Sequence, residues 1–322
     1  MRLPDWLVER GIGETRAALL DQGEIVEARI QLDGAVPAGT VLAARLRKTG
    51  RNAIASDDRG CEYLLPRAPA GVSEGGALNI HVTREAIPGG EPWKRPLARQ
   101  TDEQPAAVTD LAQRLDARVL PFPPSTRDEL AHAGWLDLLA QAQSRTVEFA
   151  GGTLRISPTP AMTLIDVDGW LEPAQLAVAG ATAAAKAIRR LDIGGSIGVD
   201  LPTVAGRADR QAAGAAIDAH LAAPFERTAV NGFGFVQVVR PRSRPSLVEI
   251  FDDRSAAAAR ALLRRAALEP PGGKRLVVSP TVAAVLDGKR HWLRELERQV
   301  GGAVGLRVDA AVPIFGEYAE NA

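Results

Sequence analysis

The sequence predicts an α/β protein in several parts: a small OB-type β-barrel near the N-terminus, a mixed α/β core, and a small C-terminal α/β unit. Three observations predict this. The first ninety or so residues carry short apolar runs at regular spacing, separated by Gly, Pro and Asp, the pattern of a small barrel. From residue 145, strand-like and helix-like runs alternate as β–α–β–α–β, which predicts a mostly parallel sheet with helices packed on it. A chain of 322 residues is too long for one small core and predicts roughly two to four modest domains.

The elements follow in order. TRAALLDQGEIVEARIQL holds two apolar stretches joined by Asp21, Gln22 and Gly23, a turn that makes a hairpin. The barrel strands are GTVLAARLRK, RNAIASDD, GCEYLLP and ALNIHVTREA. Such barrels often bind single-stranded nucleic acid, although a fold alone assigns no function. Tyr63 is the one ring in that segment, so a base-stacking platform is not evident. A Pro/Gly/charge-rich connector follows over 87–108, and its basic cluster WKRPLAR reads as solvated linker or as a phosphate contact. Residues 109–118 and 126–144 are predicted helical, on either side of PFPPS.

Strands are predicted at 145–149, 152–157 and 161–167, then a helix entered at Pro173, where a first helical turn tolerates proline. Its small residues let it lie close on a sheet. SIGVDLP is a strand finishing at Asp200, ADRQAAGAAIDAHLAA a second helix, and RTAVNGFGFVQVVR a strand pair or one long strand. A helix at 254–267, a PPGGK break and a last unit running from RLVVSP to LRVDA complete the chain. The expected divisions are an N-terminal hairpin at 1–33, the barrel at 34–87, a linker at 88–125, the core at 126–268 and the C-terminal unit at 269–322.

Lys and Arg number 39, and so do Asp and Glu. The overall basic excess of many nucleic-acid binders is therefore missing, although a local patch is enough for binding. Cys61 is the single cysteine, which excludes an intramolecular disulfide and argues against a Cys-based zinc site. The start, MRLPDWLVERGIGETR, has no apolar core of signal-peptide length, and no segment has the apolar run needed to cross a bilayer. A soluble, cytoplasmic protein with no membrane partner is expected.

The chemistry concentrates in AMTLIDVDGW, residues 161–170. Side chains alternate along a strand, so Asp166 and Asp168 point the same way. The following helix returns the chain to a parallel strand whose last polar residue is Asp200. With those strands adjacent, all three carboxylates gather at the carboxyl edge of the sheet, where open α/β sheets place their ligands. A strand spacing of roughly 5 Å lets Asp166 and Asp200 share one divalent ion. Oxygen-only ligands select Mg2+ or Mn2+ over zinc. Alone, two aspartates at a strand end are more often a solvated turn; their separation from Asp200 by a complete β–α–β unit favours the metal.

The block RTVEFAGGTLRISPTPAMTLIDVDG, then LDIGGSIGVDL, then RTAVNGFGFVQVVRPRSRPSL, resembles the catalytic core of the ribonuclease E/G family over about a hundred residues, with order and spacing intact. That family has a Gly-Gly hairpin before an IDVN strand, an IGG-x-IVIDF strand after a helix, and an RFG strand ending in basic residues. The resemblance implies an RNase H-like piece interrupted by an OB-type RNA-binding barrel, followed by a DNase-I-like nuclease core. It further implies an Mg2+-dependent endoribonuclease, with the two metal-holding aspartates falling on Asp166 and Asp200. The position of the family's orienting Asn is taken by Asp168. Gly232 stands where the family has the Arg of RFG, and Gln237 where it has an acidic residue. The paired-cysteine zinc link between subunits has no counterpart, nor has the element that senses a 5′ monophosphate. A monomer, or a dimer without the zinc link, is expected.

Arg207, Arg210, Arg227, Arg240, Arg242 and Arg244 cluster around these motifs in sequence, and RPRSRPS is the strongest basic patch. It reads as a solvated loop or as a phosphate track for RNA with salt-sensitive affinity. His81, His132, His220 and His291 show no metal-like spacing. Three functions follow: an endoribonuclease acting on single-stranded RNA, an RNA-binding protein that has lost the chemistry, and an interaction protein with no RNA ligand.

Overall fold

The two-residue turn at Gln22 and Gly23 sets the start of the fold. Both have positive φ, 52° and 89°, the backbone that matches the twist of a tight hairpin, and they join strands Glu14–Asp21 and Glu24–Leu32. A computed structural model describes residues 5–89, 91–124 and 127–321; the expected starts at residues 1 and 126 lie outside the described residues. Asp5–Arg10, a strand not foreseen, pairs antiparallel with Glu14–Asp21. Its other edge takes Arg118–Leu120 in parallel.

Between these pairings the chain makes a closed five-stranded barrel from Val41–Lys48, Ala53–Ser56, Glu62–Leu65, Ala77–Arg84 and Leu97–Thr101. The fifth strand corrects the expected division, because it falls inside the segment read as linker. It pairs antiparallel with Ala77–Arg84 and meets Leu64 through Leu97. Four strands alone would leave an edge ladder unpaired. Within the fifth strand Ala98 is the buried residue, too small an apolar signal to register as a strand. The rest of the expected linker also has structure. The helix predicted at 109–118 is one turn, Leu111–Leu115, opened by the Asp110 carboxylate and closed by Asp116 in the left-handed region. The helix predicted at 126–144 is split into Glu129–His132 and Trp135–Ser144, with Gly134 at φ 94° between them.

The six-stranded sheet runs Thr146–Phe149, Gly152–Pro158, Thr163–Gly169, Gly195–Asp200, Phe235–Arg240, Glu226–Arg227. The expectation of a mostly parallel sheet is corrected: among the described residues, Thr163–Gly169 with Gly195–Asp200 is its one parallel pair. Helix Arg207–His220 does bring the chain back in the parallel direction, but into the two-residue strand Glu226–Arg227 at the edge. A hairpin then folds Phe235–Arg240 back between them, antiparallel to both.

Helix Pro173–Arg190 buries Leu176, Ala177, Gly180, Ala181, Ala184, Ala185 and Ile188, the small-residue face that close approach to a sheet requires. One core joins it to Ile165, Val167, Ile197 and Val199 of the six-stranded sheet and to Leu7, Ala18 and Ile30 of the N-terminal one. At Gly180 the approach is so close that a Cβ there would lie 2.4 Å from Val167 Cγ1. Gly180→Val is accordingly expected to destabilise the protein by about 1–3 kcal/mol through overpacking. A thermal midpoint that does not fall would contradict this.

The C-terminal unit centres on Lys274–Val278, flanked by Val304–Val308 in parallel and Tyr318–Asn321 antiparallel. The last of these strands was not foreseen. The expected boundary at 269 is also corrected. Helix Arg254–Leu268 buries Leu262, Leu263 and Ala266 with Leu276, Val278, Leu286 and Leu296, so it belongs to the C-terminal core.

Candidate functional site

On Thr163–Gly169, Ile165 and Val167 are buried while Asp166 and Asp168 are exposed on the opposite face. The parallel ladder then places Asp200 in register with Asp166, on strands about 4.8 Å apart. Asp200 is exposed and is the last residue of its strand. The three predicted carboxylates are thus together at the carboxyl edge of the sheet, on the face turned away from the two helices.

The antiparallel neighbour adds what sequence reading missed. Arg155 is in register with Asp166, and Thr153 with Asp168. Arg155 Nε lies 3.7 Å from Asp168 Oδ2, with both side chains largely exposed, so the pair is weak and exchangeable. The signal was present: a turn closed by Thr159 and Met162 pairs Pro158 with Thr163 and fixes every partner behind it. Partial burial, then the facing charges of Asp168 and Asp200, push the Asp166 carboxyl above the usual range, against the pull of Arg155 and a backbone hydrogen bond. A cation between Asp166 and Asp200 would relieve that repulsion.

Among the described residues no group of three or more His, Cys, Asp or Glu is disposed to hold a metal ion. Two carboxylates with open positions beside them still fit Mg2+, which is typically held by one or two carboxylates and completes its shell with water and phosphate. The donor set is oxygen alone, which suits Mg2+ or Mn2+. On the other side of Asp200 stands Phe235. A Cβ on Gly198 would lie 2.6 Å from the Phe235 ring and 2.9 Å from Leu164 Cδ2, so the glycine lets both side chains cover the strand.

The six arginines divide into two groups. Arg207, Arg210 and Arg227 line one pocket of about 400 Å3 with Gln211 and Gly214, where helix Arg207–His220 follows the Asp200 strand. Arg207 is exposed. Arg210 Nη1 donates to the Val204 and Ala205 carbonyls, bracing the loop that leaves the site. Arg227 is paired through two nitrogens with Asp218.

Arg240, Arg242 and Arg244 do not form the extended phosphate track expected of them. Register places Phe235 beside Asp200 but Arg240 beside Gly195, five rows or about 17 Å from the carboxylates. There Arg240 donates to the Ile188 and Ile193 carbonyls, Arg242 pairs with Glu249, and Arg244 pairs with Asp192 at 2.9 Å. Half-buried guanidiniums next to free carboxylates and carbonyls satisfy themselves internally, which basic composition alone does not reveal.

Of the two departures singled out in sequence, Gln237 donates from Nε2 to Ser196 Oγ. Gly232 has open space where a Cβ would be. Tyr63 of the barrel is fully buried and donates to Asp57. Two exposed rings, Trp170 and Phe233, lie in the loops next to the carboxylates and were not singled out in sequence. No helix of the described residues is long and apolar enough to cross a membrane. No protein-family model matches the chain, and no curated protein matches it.

Proposed function

We propose that the chain is an Mg2+-dependent endoribonuclease of the ribonuclease E/G type that hydrolyses phosphodiester bonds of single-stranded RNA in the cytoplasm. The observation that carries this reading is the register of Asp166 with Asp200 on adjacent parallel strands, both exposed at the carboxyl edge. The barrel supports it through its strand order, in which Leu97–Thr101 lies between Glu62–Leu65 and Ala77–Arg84, the order of an OB-type barrel. In this reading the N-terminal sheet is the RNase H-like piece that the barrel interrupts, and the six-stranded sheet is the nuclease core. The protein acts as a monomer or as a dimer without a zinc link.

Asp166 and Asp200 would hold the ion. When bound, Mg2+ supplies the positive charge that polarises a phosphoryl oxygen and acidifies water. Asp168, beside Arg155, would offer a carboxylate to orient the attacking water. Arg155 and Arg207 offer positive charge to the RNA backbone, and Arg210 keeps the loop between Asp200 and Arg207 in place.

A second reading, an RNA-binding protein without hydrolysis, is favoured by one observation. Gln237, tied to Ser196, brings no acid to the sheet, and Gly232 brings no arginine. A labelled single-stranded RNA incubated with the protein decides between them. Cleavage is expected with Mg2+ or Mn2+ and none with EDTA; binding without cleavage in Mg2+ would leave the second reading standing.

A further inference from the structure

Trp170 is 78% exposed and Phe233 82%, the highest values among the large hydrophobic side chains described. Neither ring hangs on a loose segment. The Trp170 amide donates to the Gly151 carbonyl at 3.1 Å, and the preceding Gly169 is packed so tightly that a Cβ would lie 2.3 Å from that oxygen. The amides of Phe233 and Phe235 both donate to Asn231 Oδ1, at 2.9 and 3.0 Å. Thr203 Oγ1 holds the Phe233 carbonyl at 3.0 Å, and Gly234 turns the chain at φ 93°. Two anchored rings in water at the edge of one sheet call for an occupant.

Their placement says which. Trp170 follows Asp168 by two residues, one past the strand's end at Gly169, and Phe233 precedes by two the Phe235 that stands beside Asp200. Both residues lie at the sheet edge that carries the carboxylates, Trp170 just past the end of the Asp166 strand and Phe233 just before the strand that flanks Asp200. We propose that Trp170 and Phe233, at the sheet edge that carries the carboxylates, stack unpaired nucleobases, so that single-strandedness is read at this sheet and not at the barrel. The proposal rests on the reading of the site as one for RNA.

Every nucleobase offers a π-face, so stacking tolerates any sequence, whereas the bases of a duplex are already stacked on one another. The barrel does not offer its ring, because Tyr63 is buried on Asp57. The backbone of the same strand would find its cation between Asp166 and Asp200 and its guanidinium at Arg155. A protein partner fits less well: the core of a protein interface is depleted of charge, and here three carboxylates share the sheet edge with the rings.

The test measures binding of a short, labelled, uridine-rich single strand and of its duplex, in Ca2+ without Mg2+. Trp170→Ala and Phe233→Ala are each expected to raise the Kd for the single strand about tenfold, with the duplex little changed and thermal midpoints kept. Trp170→Phe should retain most of the affinity while losing part of the tryptophan quenching that the single strand produces. Equal weakening toward duplex and single strand, or no weakening, overturns the proposal. So does a drop in oligomeric mass in either alanine variant, which would give the rings to a second copy of the chain. Wild-type protein that binds through the rings yet does not cleave in Mg2+ supports the stacking and sinks hydrolysis.

Discussion

Asp166→Asn and Asp200→Asn are each expected to lower Mg2+-dependent RNA cleavage by roughly a thousandfold or more, a loss of about 4 kcal/mol in transition-state stabilisation. The two carboxylates face each other in register, and either alone leaves the ion half held. Asp166→Asn should at the same time make the metal-free protein slightly more stable. The Asp166 carboxyl is raised above its ordinary range by partial burial and by Asp168 and Asp200. A raised acid contributes stability that is complete below its unfolded-state pKa and is lost as pH rises through the folded one. At neutral pH the ionised group is therefore a cost that asparagine removes. The side chain is largely exposed and screened, so the gain is on the order of 1 °C, shrinking in acid. Cleavage assays and melting curves on the same preparations read both effects. A variant that is inactive and also less stable at neutral pH would point to misfolding instead of a lost ligand.

Arg264→Ala is expected to cost about 3–5 kcal/mol, a large part of the stability of an ordinary domain. Arg264 donates to both oxygens of Glu9 at 3.0 and 2.9 Å, and to Asp128 at 2.7 Å. Beside it Glu14 accepts from Arg16 at 2.6 Å and from Arg260 at 2.8 Å. Glu9, Glu14, Arg16, Arg260 and Arg264 are all buried, so truncating Arg264 leaves Glu9 in the interior with only the more distant Arg16, at 3.9 Å, as counter-charge. Replacing Glu9 as well, with Glu9→Gln and Arg264→Met, should cost less, because the buried Glu9 charge is gone and only the half-buried Asp128 loses its guanidinium. Burial alone would raise the Glu14 carboxyl, but Arg16 and Arg260 bring it below its usual range. Burial likewise works against Asp128, which the Ala131 amide and Arg264 hold low. Stability from such groups is present above the unfolded-state pKa and lost as pH falls through the folded one, so the network should loosen in acid. Urea midpoints across a pH series measure both effects; an Arg264→Ala midpoint equal to wild type would contradict the account.

The order of elements from Thr146 onward was legible because each strand and helix carries its own periodicity, and the Asp166–Asp200 pairing because one crossover helix leaves few alternatives. The mostly parallel sheet was misread because Glu226–Arg227 is two residues long, below what any pattern can signal. The barrel's last strand hid in charged sequence because a closing strand needs hydrogen bonds more than apolar side chains. Arg155 and the fate of Arg240, Arg242 and Arg244 depend on register and on partners far away in the chain, which composition does not encode. Glu9 illustrates the limit: in sequence it is one charge in a polar start, and its counter-ion is 255 residues away.

That separation bears on how the chain comes into being. The strand Asp5–Arg10 leaves the ribosome early, and its edge partner Arg118–Leu120 follows only after the whole barrel has been made. Arg260 and Arg264, which neutralise Glu14 and Glu9, come later still. The barrel closes from contiguous chain and is free to form during synthesis, whereas the N-terminal sheet must wait, its acids solvated, until helix Arg254–Leu268 has been translated. An arrested nascent chain stopped before that helix should therefore carry a finished barrel on an unfinished body.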